Sequence, residues 1–195
     1  NGDGRVSVSD ILSIGRFGGL SGASRSDIAY PFWAGQKADD WSYTHPNGLN
    51  IKHVDANGDG LISAADTSAI SSYYATVHTF VPEEVLAIKD YPFNLIPNST
   101  ELDSGDLLIL NIENANATKD VVDLFGLAFG LNVAPQMIDS ASLSVQFDKF
   151  SWFADNSPTL QMYKQPKDGN IHAAFTRTAS IVEDEIEGFR PIGVS

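Results

Sequence analysis

Apolar residues follow two different spacings along this chain. In residues 8–17 and 64–74 they recur every three or four positions, which predicts two short amphipathic helices. In the C-terminal half they alternate with polar residues, as at Leu108, Leu110 and Ile112, and a period of two predicts strands with one buried face. We therefore expect a helical part followed by a β-rich part.

The alternating segments predict several short strands separated by turn sequences such as Lys167-Asp-Gly-Asn170. The positions expected to share buried faces are Leu108, Leu110 and Ile112; Leu127, Phe129, Leu131 and Val133; Leu143, Val145 and Phe147; Leu160 and Met162; and Ile171, Ala173 and Phe175. Such strands indicate an antiparallel β-sandwich or jelly roll. The change of pattern near Thr76 divides the chain into two expected domains, residues 1–80 and 81–195.

The segment before the second helix carries oxygen-bearing side chains at alternate positions: Asp55-Ala-Asn-Gly-Asp-Gly-Leu-Ile-Ser-Ala-Ala-Asp66. A calcium loop supplies ligands from positions one, three, five, seven and twelve and turns at a glycine in position six. The predicted ligands are the side chains of Asp55, Asn57, Asp59 and Asp66 and the carbonyl of Leu61, with Gly60 at the turn. This segment is called loop 2.

A second copy of the pattern, loop 1, opens the chain as Asn1-Gly-Asp-Gly-Arg-Val-Ser-Val-Ser-Asp10. Its predicted ligands are the side chains of Asn1, Asp3 and Asp10 and the carbonyl of Arg5, while the first ligand position falls two residues before Asn1. Asn-Gly-Asp-Gly is also a common turn sequence. That alternative explains one copy more readily than two, each followed by a helical pattern, so we expect two calcium ions.

Both loops end in aspartate, where an ordinary EF-hand has a bidentate glutamate, and each is followed by a single helix. The pair resembles the dockerin module of secreted bacterial proteins. This resemblance implies that a protein partner is contacted by the residues that open each helix, here Val8, Ser9, Ala64 and Ala65. It also implies that Val6 and Ile62, at position eight, point inward and meet in a short backbone contact. The departure from the family is the long insert, residues 18–54.

The insert is rich in aromatic residues, which include Tyr30, Phe32, Trp33, Trp41 and Tyr43. Aromatic rings bury a large area each, and a pair of short helices lacks a sizeable core, so we expect the insert to pack over the helices. Stacking of Trp33 and Trp41 on a glycan is the alternative. The approach Lys52-His-Val-Asp55 resembles that of long-spaced units in large surface proteins of Bacteroidetes-type bacteria.

The second part of the chain resembles the cohesin family of jelly rolls. The resemblance is carried by Gly105-Asp, by Phe125-Gly-Leu-Ala-Phe-Gly-Leu-Asn132, by Ser151-Trp152 and by Gly169-Asn-Ile-His-Ala-Ala-Phe-Thr-Arg177. Residues 87–195 are short for such a domain, so its C-terminal edge is expected to be incomplete. An open edge recruits a strand from a neighbour, which predicts assembly by strand donation.

Charge and composition favour an exported protein without nucleic-acid partners. The chain has 25 acidic and 12 basic residues and a net charge of −13, which opposes binding to nucleic acids and anionic membranes. It has no cysteine and no apolar run long enough to span a membrane, and no signal peptide stands at its start. We expect a mature extracellular or cell-surface fragment. Asn98 and Asn116 begin formal glycosylation sequons.

The chain is not expected to be an enzyme. The candidate catalytic groups are Asp148, His172 and Arg177 and the acidic run Glu183, Asp184, Glu185 and Glu187. Strict alternation puts His172 and Arg177 on opposite faces of a strand. We predict a non-catalytic, calcium-stabilised structural or assembly module of a bacterial surface protein or filament, acting through dockerin-cohesin-like or strand-edge contacts. A carbohydrate-binding adhesion module is the alternative.

Overall fold

A computed structural model of the chain describes residues 1–25, 33, 35–78, 93–114, 125–139, 141–148, 157–167 and 169–178. These residues form a mixed α+β structure with few helices and two antiparallel sheets. The chain divides into a larger unit, Asn1–Ala87 with Leu124–Ser195, and a smaller unit, Ile88–Asp123. This division differs from the predicted boundary at residue 80, because the C-terminal strands pack on the first helix.

Both predicted helices are present and both are shorter than predicted. Helix α1 spans Asp10–Phe17, and α2 spans Thr67–Ser72 after a 3-10 turn at Ala64–Asp66. The residue two positions after Phe17 is Gly19 with φ 93°, and the corresponding residue of the second helix is Ala75 with φ 66°. A left-handed residue at this position ends a helix, so the two helices end within one residue of the same place in their motifs.

The core of the larger unit forms around one face of α1. Ile11, Ile14 and Phe17 lie on that face and are nearly inaccessible to solvent. They pack in one cluster with residues from every other part of the unit, namely Val8, Leu20, Trp41, Ile51, Ile62, Ile70, Ala128 and Ala174. The insert therefore contributes Trp41 and Ile51 to the shared core, as expected from the weak core of two short helices.

A three-stranded sheet covers the other side of α1. Its strands are β3 (Gly126–Asn132), β4 (Thr159–Lys167) and β5 (Asn170–Arg177), in the antiparallel order β3-β5-β4. An added Cβ at Gly15 of α1 would lie 2.4 Å from Thr176 Cγ2, and one at Gly126 would lie 2.4 Å from Leu12 Cδ2. The helix approaches the sheet this closely because glycine and alanine occupy the facing positions.

The opposite face of this sheet carries larger apolar side chains. Leu127, Phe129 and Leu131 of β3 pair with Phe175, Ala173 and Ile171 of β5, so the predicted faces of these two strands coincide on one side of the sheet. The strand predicted over residues 143–147 is wrong, because this segment has no regular structure. Its Phe147 instead stacks on Phe175, with ring centroids 4.8 Å apart.

The smaller unit contains β1 (Phe93–Pro97) and β2 (Leu110–Asn114), which pair antiparallel. The predicted strand at residues 108–112 is thus present in part and begins at Leu110. The expected C-terminal edge after residue 178, with the acidic run at residues 183–187, lies outside the described residues, as do Trp152 and Asn116. Within the described ranges, no helix is long and apolar enough to cross a membrane.

Candidate calcium loops

Two buried carboxylates organise loop 2. Asp55 is 3% exposed, and its Oδ1 and Oδ2 accept hydrogen bonds from the N–H groups of Gly58, at 2.7 Å, and Gly60, at 3.0 Å. Asp66 is fully buried, and its two oxygens accept the N–H groups of Asn57, at 3.1 Å, and Ser63, at 2.8 Å. The first and last residues of the loop therefore hold its backbone closed.

Burial raises the pKa of Asp66 above its ordinary value, and the nearby Asp55 carboxylate adds to the rise, while the N–H groups of Ser63 and Asn57 lower it. Burial next to another acid makes the Asp66 carboxyl costly to ionise without a cation. A divalent cation removes that cost, so the donor set of loop 2 fits calcium in its chemistry.

The middle of loop 2 is a chain of short side-chain to backbone bonds. Asn57 Oδ1 accepts the N–H of Asp59 at 2.9 Å, and Asp59 Oδ1 accepts the N–H of Leu61 at 2.8 Å. Within the described residues, no three acidic, histidine or cysteine side chains form a metal-binding group. A loop of this kind also uses amide and backbone carbonyl oxygens, here those of Asn57 and Leu61.

Loop 1 repeats the hydrogen bonds of loop 2 that do not involve Asp55. The amino group of Asn1 and the N–H of Ser7 donate to the two oxygens of Asp10, at 3.3 and 2.8 Å. The N–H of Asp3 donates to Asn1 Oδ1 at 3.1 Å, and the N–H of Arg5 donates to Asp3 Oδ1 at 2.9 Å. Burial raises the pKa of Asp10 as well. All of the predicted ligand residues present in the chain thus take equivalent places.

The backbone conformation is repeated too. Gly2 and Gly4 of loop 1 have φ of 83° and 81°, and Gly58 and Gly60 of loop 2 have φ of 80° and 89°. Glycine is the residue that adopts these left-handed angles without strain. Residues 1–22 and 57–78 are therefore two copies of one structural motif.

The two copies are joined by crossed backbone bonds. The N–H of Ile62 donates to Leu20 O, and the N–H of Val6 donates to Thr76 O, both at 2.9 Å. The carbonyls of Ile62 and Val6 accept the N–H groups of the residues that precede these, Gly19 and Ala75, also at 2.9 Å. The expected direct contact between Val6 and Ile62 is wrong, because each residue uses its backbone groups on the segment that follows the opposite helix.

The residues predicted to bind a protein partner differ between the copies. Val8 and Ser9 are buried, at 5% and 9% exposure, and Ser9 Oγ accepts a hydrogen bond from Asn1 Nδ2 at 2.9 Å. Ala64 and Ala65 are exposed. Ala64 also lines a shallow groove with Leu61 and with Leu160 of β4. Only the second pair is thus open to a partner.

The two candidate sugar-stacking tryptophans have different surroundings. Trp41 is 6% exposed, and its indole N–H donates to Ala23 O at 3.1 Å, so it belongs to the core. Trp33 is 48% exposed and lies beside Tyr73, with ring centroids 5.3 Å apart. The carbohydrate interpretation therefore depends on Trp33. Tyr30 and Phe32 lie outside the described residues.

Two of the candidate catalytic residues, His172 and Arg177, lie on β5. The register of β5 puts His172 and Arg177 on opposite faces of the sheet, as predicted. The Nδ1 of His172 is hydrogen-bonded to the hydroxyl of Tyr74. Burial lowers the pKa of His172, and the positive charge of Arg5 lowers it further.

Comparisons of this chain with protein-family models, with curated proteins and with solved structures find no match.

Proposed function

We propose that this chain is a non-catalytic, calcium-stabilised structural and assembly module of an extracellular bacterial surface protein or filament. The observation that carries the proposal is the repetition of one hydrogen-bonded loop at residues 1–10 and 55–66, each closed by an aspartate at its last position, which is fully buried at Asp66 and partly buried at Asp10. A turn sequence alone requires no buried acid at its last position. The resemblance to dockerin and cohesin modules supports the same interpretation.

Two ions are proposed, one in each loop. Asp55, Asn57, Asp59, Asp66 and the carbonyl of Leu61 would hold the ion of loop 2. Asn1, Asp3, Asp10 and the carbonyl of Arg5 would contribute to the ion of loop 1. Each ion would supply positive charge to the aspartate that closes its loop, Asp10 or Asp66. This matters in a chain with a net charge of −13.

Calorimetric titration of the metal-free protein tests this proposal. We expect saturable calcium binding and a rise in the midpoint of thermal unfolding, whereas magnesium, which is smaller and loses its water reluctantly, gives a weaker response. Asp66→Asn should abolish binding at loop 2. Asp39→Asn removes the same charge from an exposed position of the insert and should leave binding intact. Absence of calcium binding by the native protein would contradict the proposal.

The assembly role is supported by two exposed features of the larger unit. Ala64 and Ala65, which begin the second helical segment, are exposed to solvent. Among the described residues, no strand pairs with the outer edges of β3 and β4, and unpaired edges accept strands from other chains. We expect the protein to form oligomers in calcium and monomers in chelator, as measured by light scattering. Monomers under both conditions would favour a passive structural segment.

Glycan binding is a second candidate function, favoured by the exposed Trp33 beside Tyr73. A ring pair with an open face suits stacking on a sugar. Binding to a glycan array should then be lost in Trp33→Ala, with the far-ultraviolet circular dichroism unchanged. Tyr163→Ala is the matched control, because Tyr163 is equally exposed, at 46%, and lies on β4. Equal binding by both variants would remove this candidate.

A further inference from the structure

Arg25, at the start of the insert, is attached to loop 2 by two hydrogen bonds. Its backbone N–H donates to Gly58 O at 2.9 Å, and its guanidinium Nη2 donates to Asp55 O at 2.7 Å. Asp55 is the first predicted ligand of the loop, and Gly58 is the residue at its first left-handed turn. Arg25, which lies outside the loop, is therefore hydrogen-bonded to both ends of the segment from Asp55 to Gly58.

Gly58 is needed for this contact as well as for its own backbone angle. A Cβ added at Gly58 would lie 2.5 Å from Arg25 Nε and 2.8 Å from Nη2, so a side chain there would displace the guanidinium. The guanidinium thus occupies the space that a side chain at Gly58 would fill. Arg25 covers the backbone of loop 2 directly.

The far end of the same insert reaches loop 1. Asn47 Nδ2 donates to Asn1 O at 2.6 Å, and a Cβ added at Gly2 would lie 2.5 Å from Leu49 Cδ1. Gly2 corresponds to Gly58 in the repeated motif. The insert therefore contacts the equivalent glycine of both loops, once with each of its ends.

We infer that Arg25 is a positioning residue that keeps loop 2 closed and slows the release of its ion. The inference rests on the proposed calcium function. Opening of the loop must break a charge-assisted hydrogen bond to the backbone of Asp55, and such bonds are stronger than neutral ones. The positive charge of Arg25 acts in the opposite direction, because it repels the cation. The two effects have opposite signs, so release kinetics decide between them.

The test measures calcium release by stopped-flow mixing of loaded protein with a fluorescent chelator. The kinetic phase that disappears in Asp66→Asn reports loop 2. In Arg25→Ala we expect this phase to be about tenfold faster, the change that corresponds to losing one charge-assisted hydrogen bond. Arg25→Lys keeps the charge without the planar fork and should also release faster. Unchanged or slower release in Arg25→Ala would overturn the inference.

Two controls separate this result from loss of folding and from failure of the calcium proposal. Lys37→Ala removes a positive charge from an exposed position of the same insert and should leave release unchanged.

The second control is amide hydrogen exchange at Gly58 and Gly60, measured in the metal-free protein. Arg25→Ala should increase the exchange rate, and Arg25→Gln, which keeps a donor, should increase it less. If the native protein binds no calcium, the proposed function fails, and unchanged exchange in Arg25→Ala would then overturn the positioning role by itself.

Discussion

Loop 1 and loop 2 share internal hydrogen bonds but differ in the exposure of the residues that open each helix. Their carboxylates, amides and left-handed glycines are placed equivalently, and each loop ends in an aspartate that accepts two hydrogen bonds from the loop. Their outer faces are not equivalent, because Val8 and Ser9 are buried where Ala64 and Ala65 are exposed. The interior pattern follows from the side-chain to backbone hydrogen bonds that both loops share, whereas the exterior depends on which part of the chain packs there. Only one of the two copies offers its outer face to another molecule.

The largest expected effect comes from placing a charge on each outer face. Val8→Glu puts a carboxylate at a buried position and should lower the free energy of unfolding by about 4 kcal/mol. Ala64→Glu places the same group in solvent and should change it by less than about 0.5 kcal/mol. Chemical denaturation of both variants in calcium measures the difference. Equal destabilisation would show that the two outer faces are equivalent after all.

A smaller contrast is expected at position eight of the loops. Ile62 is fully buried, so Ile62→Ala should cost about 3 kcal/mol, while Val6→Ala removes less apolar surface from a half-buried site and should cost about 1 kcal/mol. Both variants keep the crossed backbone bonds, which need no side chain. Thermal unfolding in calcium compares them. A cost at Val6 equal to that at Ile62 would contradict the observed difference in burial.

The smallest effect is a pH dependence of the turn of the insert that contacts loop 1. Burial lowers the pKa of His45 below its ordinary value of 6.5, and the ring of His45 lies 5.4 Å from that of Phe17 in α1. His45 N–H also donates to Leu49 O at 2.7 Å in the turn that contacts loop 1.

Because the unfolded chain takes up the proton of His45 first, this group's contribution to stability is present above pH 6.5 and is lost as the pH falls below it. The midpoint of thermal unfolding should therefore drop between pH 7.5 and pH 5.5 by a small amount. His45→Gln should remove that part of the drop. An unchanged drop in the variant would exclude His45 as its source.

The loops could be predicted from the sequence because their chemistry is local. Ligand residues at fixed spacing, such as Asp55 and Asp66, specify the turn and the buried acid together. The paired faces of β3 and β5 followed in the same way from alternation at Leu127 and Ile171. These features depend on side chains that are close in the chain.

Three features could not be predicted, each for a physical reason. The crossed bonds from Ile62 to Leu20 and from Val6 to Thr76 use backbone groups, which every residue except proline has, so the sequence does not indicate them. The helix-facing side of the sheet is built from small residues such as Gly126 and Ala174, which hydrophobic periodicity does not detect. At Phe147 the alternating pattern is real, but the side chain is used for ring stacking and not for a strand.

The crossed backbone bonds also fix the order in which this unit can assemble. Val6 donates to Thr76, which comes much later in the chain, so this bond forms only once the segment after α2 has reached loop 1. Leu20 likewise waits for Ile62. Long loops must close before such contacts form, which slows folding. Each copy of the motif therefore depends on the other copy for the backbone partners of its residue at position eight.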